Sequence, residues 1–366
     1  MLRYIYELAT DKHRGPVAGT LNSFLYLISL IYGLVVRILL FIYRIKPYRL
    51  GCKVISVGNI TLGGTGKTSL VLYIARYLKE HGHKVAILSR GYKRMGSRFS
   101  VLGSRPNTEH RTPNAEAMGD EPYMLQMNLK DIPVIVDHDR IRAGNSAIRD
   151  YGADTVILDD GMQQWRIKKD LEIVAVDSTF PFGNRNLIPR GILREPLSSL
   201  KRADIFILTK ANISPAQDEV KGYLRRINPG AFQVESAHAP LGFCRLDKPR
   251  ELMGADMLAG KSAGLFSAIA DPASFELLVS KQGVNIGTSF RFRDHYNYTQ
   301  KDMDEIISKS TDTGISVLVT TEKDASRLYQ LPVTGYKLPV WFLRIELKII
   351  KNEEGFRSRL LGLFSH

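Results

Sequence analysis

The stretch Val57-Gly58-Asn59-Ile60-Thr61-Leu62-Gly63-Gly64-Thr65-Gly66-Lys67-Thr68 limits the choice of fold more than any other part of this chain. Before it, the apolar run KVISVGN reads as a strand; after it, SLVLYIARYLKEHG carries apolar residues at helical spacing up to Gly82. Strand, glycine-rich turn and helix in that order bring backbone N–H groups and a helix N-terminus to bear on an anion. Gly63, Gly64 and Gly66 let the backbone approach phosphate oxygens, Lys67 reaches toward β- and γ-phosphates, and Thr68 stands where a hydroxyl holds Mg²⁺. One position breaks the usual spacing: Thr61 occupies the place of a glycine, six residues before the lysine. The residues expected to line a nucleotide are Thr61, Leu62, Gly63, Gly64, Thr65, Gly66, Lys67 and Thr68, the alternative being a plain glycine-rich turn.

Downstream, short apolar runs alternate with helical patterns. KVAILS, IPVIVD, TVILDD, EIVAVD and DIFILTK read as strands, with helices through YMLQMNL and from Arg140, and a long loop from Arg90 to about Ala117. Near-continuous apolar strands separated by helices indicate a parallel sheet buried on both faces, so the expected class is α/β, a parallel sheet of the P-loop NTPase kind flanked by helices. Between Gln233 and Lys261 the pattern weakens, and then a second alternation begins with SAGLFSAIA and runs to ISVLVTTEKD. The expected domains are an N-terminal region over 1–50, a phosphate-loop domain over 51–235, and a linker with a smaller α/β domain over 236–366. The tail SRLLGLFSH carries no signal.

A phosphate loop needs a carboxylate near a neighbouring strand end to hold the metal, and ADTVILDDG offers Asp159 and Asp160. Successive strand side chains face opposite ways, so the two have different roles, unless they merely form a turn before Gly161. Gly119-Asp120-Glu121-Pro122 opens a helix; Asp120 is either its cap or a carboxylate able to take a hydroxyl proton. His295, in Phe292-Arg293-Asp294-His295-Tyr296, follows a strand of the second domain and taken alone reads as structural. Cations in Ser89-Arg90-Gly91-Tyr92-Lys93-Arg94, Asp139-Arg140-Ile141-Arg142 and Gly183 to Pro196 follow strand ends, the ligand-binding edge of such sheets.

With 51 Lys+Arg against 37 Asp+Glu, the net charge of +14 points to an anionic partner. Cys52 and Cys244 stand far apart without a C-x-x-C companion, which excludes a disulfide framework and a thiolate zinc site. From Phe24 to Tyr43 the chain is predominantly apolar and carries no charge except Arg37, and residues 1–50 carry Arg3, Lys12, Arg14, Arg37, Arg44, Lys46 and Arg49 against Glu7 and Asp11. This reads as a helix that docks on an anionic membrane surface, with a core helix and a true span as alternatives.

In order, VGNITLGGTGKT, SRGYKR, GDEP, HDRIRAG, DDGMQQ, GNRNLIPRGILREP, DHYNYT and TTEKDA resemble the tetraacyldisaccharide 4′-kinases of lipid A biosynthesis, over most of the chain after residue 40. That family carries the same Thr-x-Gly-Gly-Thr-Gly-Lys-Thr arrangement, so Thr61 is its own form of the loop. The resemblance implies ATP and Mg²⁺ as cofactors, transfer of the γ-phosphate to the 4′-hydroxyl of an acylated disaccharide 1-phosphate lipid, and a place at the cytoplasmic face of the bacterial inner membrane. It implies phosphate and metal roles for Lys67 and Thr68, a Mg²⁺ environment including Glu121, Asp159 and Asp160, and Asp120 as the catalytic base. His295 would pair with Asp120 when the second domain closes over the nucleotide, and Tyr92, Arg140 and Arg142 would contact substrate. The family commonly has Phe and then Gln-His after the paired aspartates and glycine, where Met162, Gln163 and Gln164 stand here, and a frequent Pro after the loop is Ser69.

The rival reading is a membrane-associated P-loop ATPase of the switch or partitioning type. Many of those carry a Lys just before the paired glycines, and Leu62 fills that position here. The chain lacks a recognition-helix or aromatic-platform pattern, so no nucleic acid is expected, and nothing in it calls for an obligate protein partner.

Overall fold

The computed structural model describes residues 8–11, 15–91, 100–102, 119–129, 131–329, 331 and 336–365. Its elements begin with α1 (Pro16–Ile45), β1 (Lys53–Gly58), α2 (Lys67–Glu80), β2 (Val85–Ser89), β3 (Ser100–Leu102), α3 (Asp120–Asn128), β4 (Val134–Val136), α4 (Arg140–Tyr151), β5 (Thr155–Asp159), β6 (Leu171–Asp177) and β7 (Ile205–Thr209). There follow α5 (Gln217–Ile227), β8 (Phe232–Arg245), β9 (Lys248–Met253), β10 (Ser262–Ser267), α6 (Pro272–Ser280), β11 (Asn285–Arg291), α7 (Gln300–Asp312), β12 (Val317–Thr321), α8 (Glu322–Leu328), β13 (Val340–Lys351) and α9 (Glu353–Leu361).

The chain folds into two compact units and passes between them more than once: Met1–Ser89, Asp139–Ala237 and Lys348–His366 form unit 1, and Arg90–His138 and His238–Leu347 form unit 2. The division near residue 236 expected from the sequence falls within β8. The stretch expected as a linker is instead strand β8 and its antiparallel partner β9, with Phe243 opposite Met253. Its burial follows no period of two, and Pro240 and Gly242 interrupt its apolar residues, which is why the strand signal is faint. The tail rejoins unit 1 because α9 seats there. Tyr73 of α2 donates from its hydroxyl to Glu353 at 2.9 Å, and Gly355 lies so close to the Phe232 ring that a Cβ would come within 2.4 Å of it.

In unit 1, β1 pairs in parallel with β5 and β6, β5 with β2, β6 with β7, and β7 with the start of β8. All five residues of β2, β5 and β7 are buried, which is why these strands read as continuous apolar runs. Registers Val57 to Asp159 and Gly58 to Val174 bring the start of the glycine-rich loop beside the paired aspartates. Gly58 has no room for a side chain: a Cβ there would lie 2.5 Å from the Met162 backbone nitrogen.

Helix α1 runs 30 residues, about 45 Å at 1.5 Å per residue. Ala18, Leu25, Ser29, Gly33 and Val36 are buried along one face. Gly33 lets Leu187 come close, and the Tyr32 hydroxyl donates to the Arg194 carbonyl at 2.8 Å. The opposite face carries Phe24, Leu27, Ile31, Leu34, Ile38, Phe41 and Ile45 at alternating spacings of three and four, each about half or more exposed. A helix buried in the core is thus not what forms: 22% of its most apolar window is buried.

Unit 2 has its own parallel strands, β11, β10, β12 and β13, and an antiparallel β3–β4 pair. Phe266, Leu318, Met303, Tyr298 and Phe342 pack one of its core clusters, and Phe243, Leu265, Val319 and Trp341 another. Helix α3 packs against α8, which fixes the place of Asp120.

Candidate active site

The glycine-rich loop of unit 1 explains its own deviation from the usual pattern. Its first limb pairs with the arm before Glu195: Leu62 N–H donates to the Ile192 carbonyl at 2.7 Å, Arg194 N–H donates to the Ile60 carbonyl at 2.8 Å, and Thr61 forms an antiparallel bridge with Leu193. An extended, bridged position suits a β-branched residue, and Thr61 is buried there. The left-handed conformations are left to Gly63 and Gly66, at φ 110° and 78°. Gly66 precedes the first turn of α2 with no side-chain cap, so the helix N-terminus keeps unsatisfied N–H donors. Among the described residues, the buried Thr65 hydroxyl has no hydrogen-bond partner. Donors without acceptors around a positive helix end are what a phosphate chain requires.

Lys67 does not point into water. Its ammonium donates to Asn59 Oδ1 at 2.9 Å and lies 3.4 Å from Asp160 Oδ1. Arg194 clamps the same carboxylate with both terminal nitrogens, at 2.8 and 2.9 Å, and also donates to the carbonyl and side-chain oxygens of Asn59. Burial alone would raise the Asp160 carboxyl, but Lys67 and Arg194 outweigh it and hold the group well below the usual carboxylate range. Asp160 sits at φ 54°, a left-handed turn just beyond β5 that turns its side chain toward these cations.

Asp159 is buried at the end of β5 and accepts from the Ser89 hydroxyl at 3.1 Å. The paired aspartates therefore meet different groups: Lys67 and Arg194 reach Asp160, and the Ser89 hydroxyl donates to Asp159. Next to them, Glu195 is fully buried and accepts from Gln163 and Trp165 at 3.0 Å each and from Arg202 at 2.8 Å. Gln163 is thus a structural tie, and Met162 belongs to the core beside Ile60 and Val174. Of the cations expected to meet substrate, Arg142 is exposed on the first turn of α4, while Arg140 is only 2% exposed, which leaves little of it for a ligand. Tyr92 lies outside the described residues.

Unit 2 gathers a second cluster. Asp120, the first residue of α3, accepts from Arg327 Nε at 2.7 Å, and His295 Nδ1 lies 3.6 Å from the same oxygen. Both residues belong to unit 2, so they lie together without the domain closure that the family resemblance had implied. Burial works to raise the Asp120 carboxyl, and His295 and Arg327 overcome it, leaving the group below its ordinary value. Lys323 approaches His295 Nε2 at 3.2 Å and Glu121 at 3.9 Å. Asn59, Arg194, Glu195 and Arg327 were not among the expected site residues; Arg194 and Glu195 stood in the basic segment after Gly183, and Asn59 inside the loop itself.

The sequence model of the family described as tetraacyldisaccharide-1-P 4′-kinase matches residues 21–365. The chain belongs to this family. It is 35% identical over 367 residues to the tetraacyldisaccharide 4′-kinase of Desulfatibacillum aliphaticivorans, covering 97% of each chain, and 37% identical to that of Halothermothrix orenii, covering 94% of each. The crystal structure of the "apo" form of LpxK from Aquifex aeolicus in complex with ATP matches with a TM-score of 0.75 at 27% identity, over 94% of this chain and 100% of that one. As a member of the family, the protein is a 4′-kinase of lipid A biosynthesis.

The Asp160 clamp gives this 4′-kinase a measurable signature. A carboxyl held below its unfolded value adds stability that is complete above about pH 4 to 5 and is lost as pH falls toward the folded value. Arg194→Gln is expected to cost about 1 kcal/mol at pH 7, below the roughly 1.5–3 kcal/mol of a charge-assisted bond because solvent reaches Asp160. Urea unfolding at pH 7 and pH 3 checks this: the gap between the two proteins should shrink at pH 3, and an equal gap at both would contradict the clamp.

Proposed function

We propose that the 4′-kinase holds the phosphates of ATP with the loop from Thr61 to Thr68 and delivers the γ-phosphoryl group to the 4′-hydroxyl of a tetraacyldisaccharide 1-phosphate. The observation that carries this reading is the position of Lys67, at the first turn of α2 and already paired with an anion, the Asp160 carboxylate. A γ-phosphate offers Lys67 a stronger anionic partner, and Arg194 stays on Asp160, so the carboxylate is not left unpaired when the lysine transfers.

In the transfer, the bond between the γ-phosphorus and the β–γ bridging oxygen breaks, ADP leaves with that electron pair, and the 4′-oxygen forms the new bond to phosphorus. Asp120 accepts the hydroxyl proton, with His295 beside it, and the adjacent Arg327 balances the charge of its carboxylate before the proton arrives. Mg²⁺ fits unit 1 by donor chemistry: Thr68 and Asp159 supply the oxygen ligands it prefers, and both are compatible with an ion held mostly by phosphate and water. Among the described residues no group of three or more His, Cys, Asp or Glu side chains forms a protein cage for a metal. Bound there, the ion would neutralise charge on the phosphates. Asp160, engaged by two cations, fits less well as a ligand, and Glu121 is carried by unit 2.

The lipid acceptor calls for a protein at the membrane surface. Helix α1 supplies a stripe of exposed apolar residues, while its opposite face is packed on Leu187 and the Arg194 backbone, so lipid cannot surround it. That arrangement favours a helix lying in the interface of an anionic membrane, and the reading places it on the cytoplasmic face of the inner membrane.

Lys67→Ala and Asp120→Asn are expected to lower kcat at least 100-fold with the melting temperature little changed, followed as bisphosphate formed from Mg-ATP and acceptor. Full turnover in Asp120→Asn would remove Asp120 from the mechanism. Replacing Leu27, Ile31 and Ile38 together by serine should reduce co-sedimentation with phosphatidylglycerol-containing vesicles at least 10-fold while leaving ATP affinity intact. Unaltered sedimentation would rule out docking through this face.

A further inference from the structure

Arg327 lies on α8, with a side chain 3% exposed, and it is the point at which three parts of unit 2 meet. Its Nε donates to Asp120 Oδ2 at 2.7 Å. Nη1 donates to Asp324 Oδ1 at 2.7 Å and to the Ala268 carbonyl at 3.1 Å, and Nη2 lies 3.4 Å from His295 Nδ1. The fork is itself held from behind. Asp324 is fully buried and accepts from the Thr321 hydroxyl at 2.6 Å and from Ala268 N–H at 3.1 Å. His295, at φ 59°, donates its backbone N–H to the same Ala268 carbonyl that Arg327 engages.

We propose that Arg327 is a positioning residue for phosphoryl transfer, one that fixes Asp120 and His295 as a single proton-accepting pair. The inference rests on the reading of Asp120 as the base. A planar guanidinium presents donors on different edges in fixed directions, and this site uses them toward three side chains at once. Asp120 Oδ2 is held by the fork, so rotation of the carboxylate about its χ angles is restrained and the other oxygen, Oδ1, keeps a constant direction. A lysine keeps the charge but has one nitrogen, which cannot hold Asp120, Asp324 and the imidazole in the same geometry. Salt-bridged glue in a core would look alike in a static picture, so the distinction lies in coupling: glue supports the fold, whereas a positioning residue matters to turnover only through Asp120.

Arg327→Lys and Arg327→Gln are to be compared with wild type, Asp120→Asn and the double variant Asp120→Asn/Arg327→Lys, in the full-length protein with Mg-ATP and tetraacylated disaccharide 1-phosphate. Arg327→Lys is expected to lower kcat 10- to 100-fold, with the KM for ATP within 2-fold and the melting temperature within a few degrees, because misplacing a reacting group by about 1 Å costs that much. In the Asp120→Asn background the same change should lower the residual kcat by less than 2-fold. Wild-type kcat in Arg327→Lys, or an undiminished loss in the Asp120→Asn background, would overturn the proposal. If Arg327→Gln unfolds, the lysine variant alone decides. Wild-type turnover in Asp120→Asn would instead defeat the assignment of the base, a result distinct from an impaired Asp120→Asn alongside an unimpaired Arg327→Lys.

Discussion

The phosphate site proposed in unit 1 is built around one carboxylate, Asp160, and the two cations it holds. Lys67 and Arg194 reach it from α2 and from the arm that pairs with the loop, and Asn59 bonds both. Two like charges held together near a positive helix end would repel without an anion between them. Asp160 supplies that anion, and in the proposed function a phosphate takes over part of its work. The same arrangement accounts for Thr61: the limb that carries it is a strand-like bridge to Leu193, and the arm so anchored continues into Arg194.

Unit 2 uses a related device for a different end. Asp120 is also a partly buried carboxylate held ionised by an arginine, but here a histidine shares the carboxylate. The two carboxylates suit different tasks. Asp160, pulled far down by two cations, is a poor proton acceptor and a good counterion; Asp120, with His295 next to it, is the carboxylate to which the proposed function assigns proton acceptance.

What could be read in the sequence was what local chemistry announces. β1, the loop and α2 were legible because apolar periodicity, glycine clustering and the Lys-Thr pair agree over sixteen contiguous residues from Lys53 to Thr68. The buried strands β5, β6 and β7 were legible for the same reason. Strand β8 was not, because Ser236, His238, Pro240 and Gly242 break its pattern and its pairing depends on β7 and β9, distant in sequence from one another. The return of α9 to unit 1 and the assignment of α3 to unit 2 were hidden likewise, since both follow from tertiary packing. At the site, Asp120, His295, Lys67 and the aspartate pair carried recognisable surroundings. Arg327 did not: an arginine in a helical run reads as surface, and only the fold shows that Asp324, Ala268 and Asp120 converge on it.

The most direct test of the account is the fate of the γ-phosphate. With radiolabelled Mg-ATP and phosphatidylglycerol-containing vesicles, the protein is expected to place label on the 4′-oxygen of tetraacylated disaccharide 1-phosphate, and to release little inorganic phosphate when that lipid is left out. Release of phosphate to water at the same rate with and without the lipid, and no labelled bisphosphate, would show a nucleotide-hydrolysing switch and contradict the account.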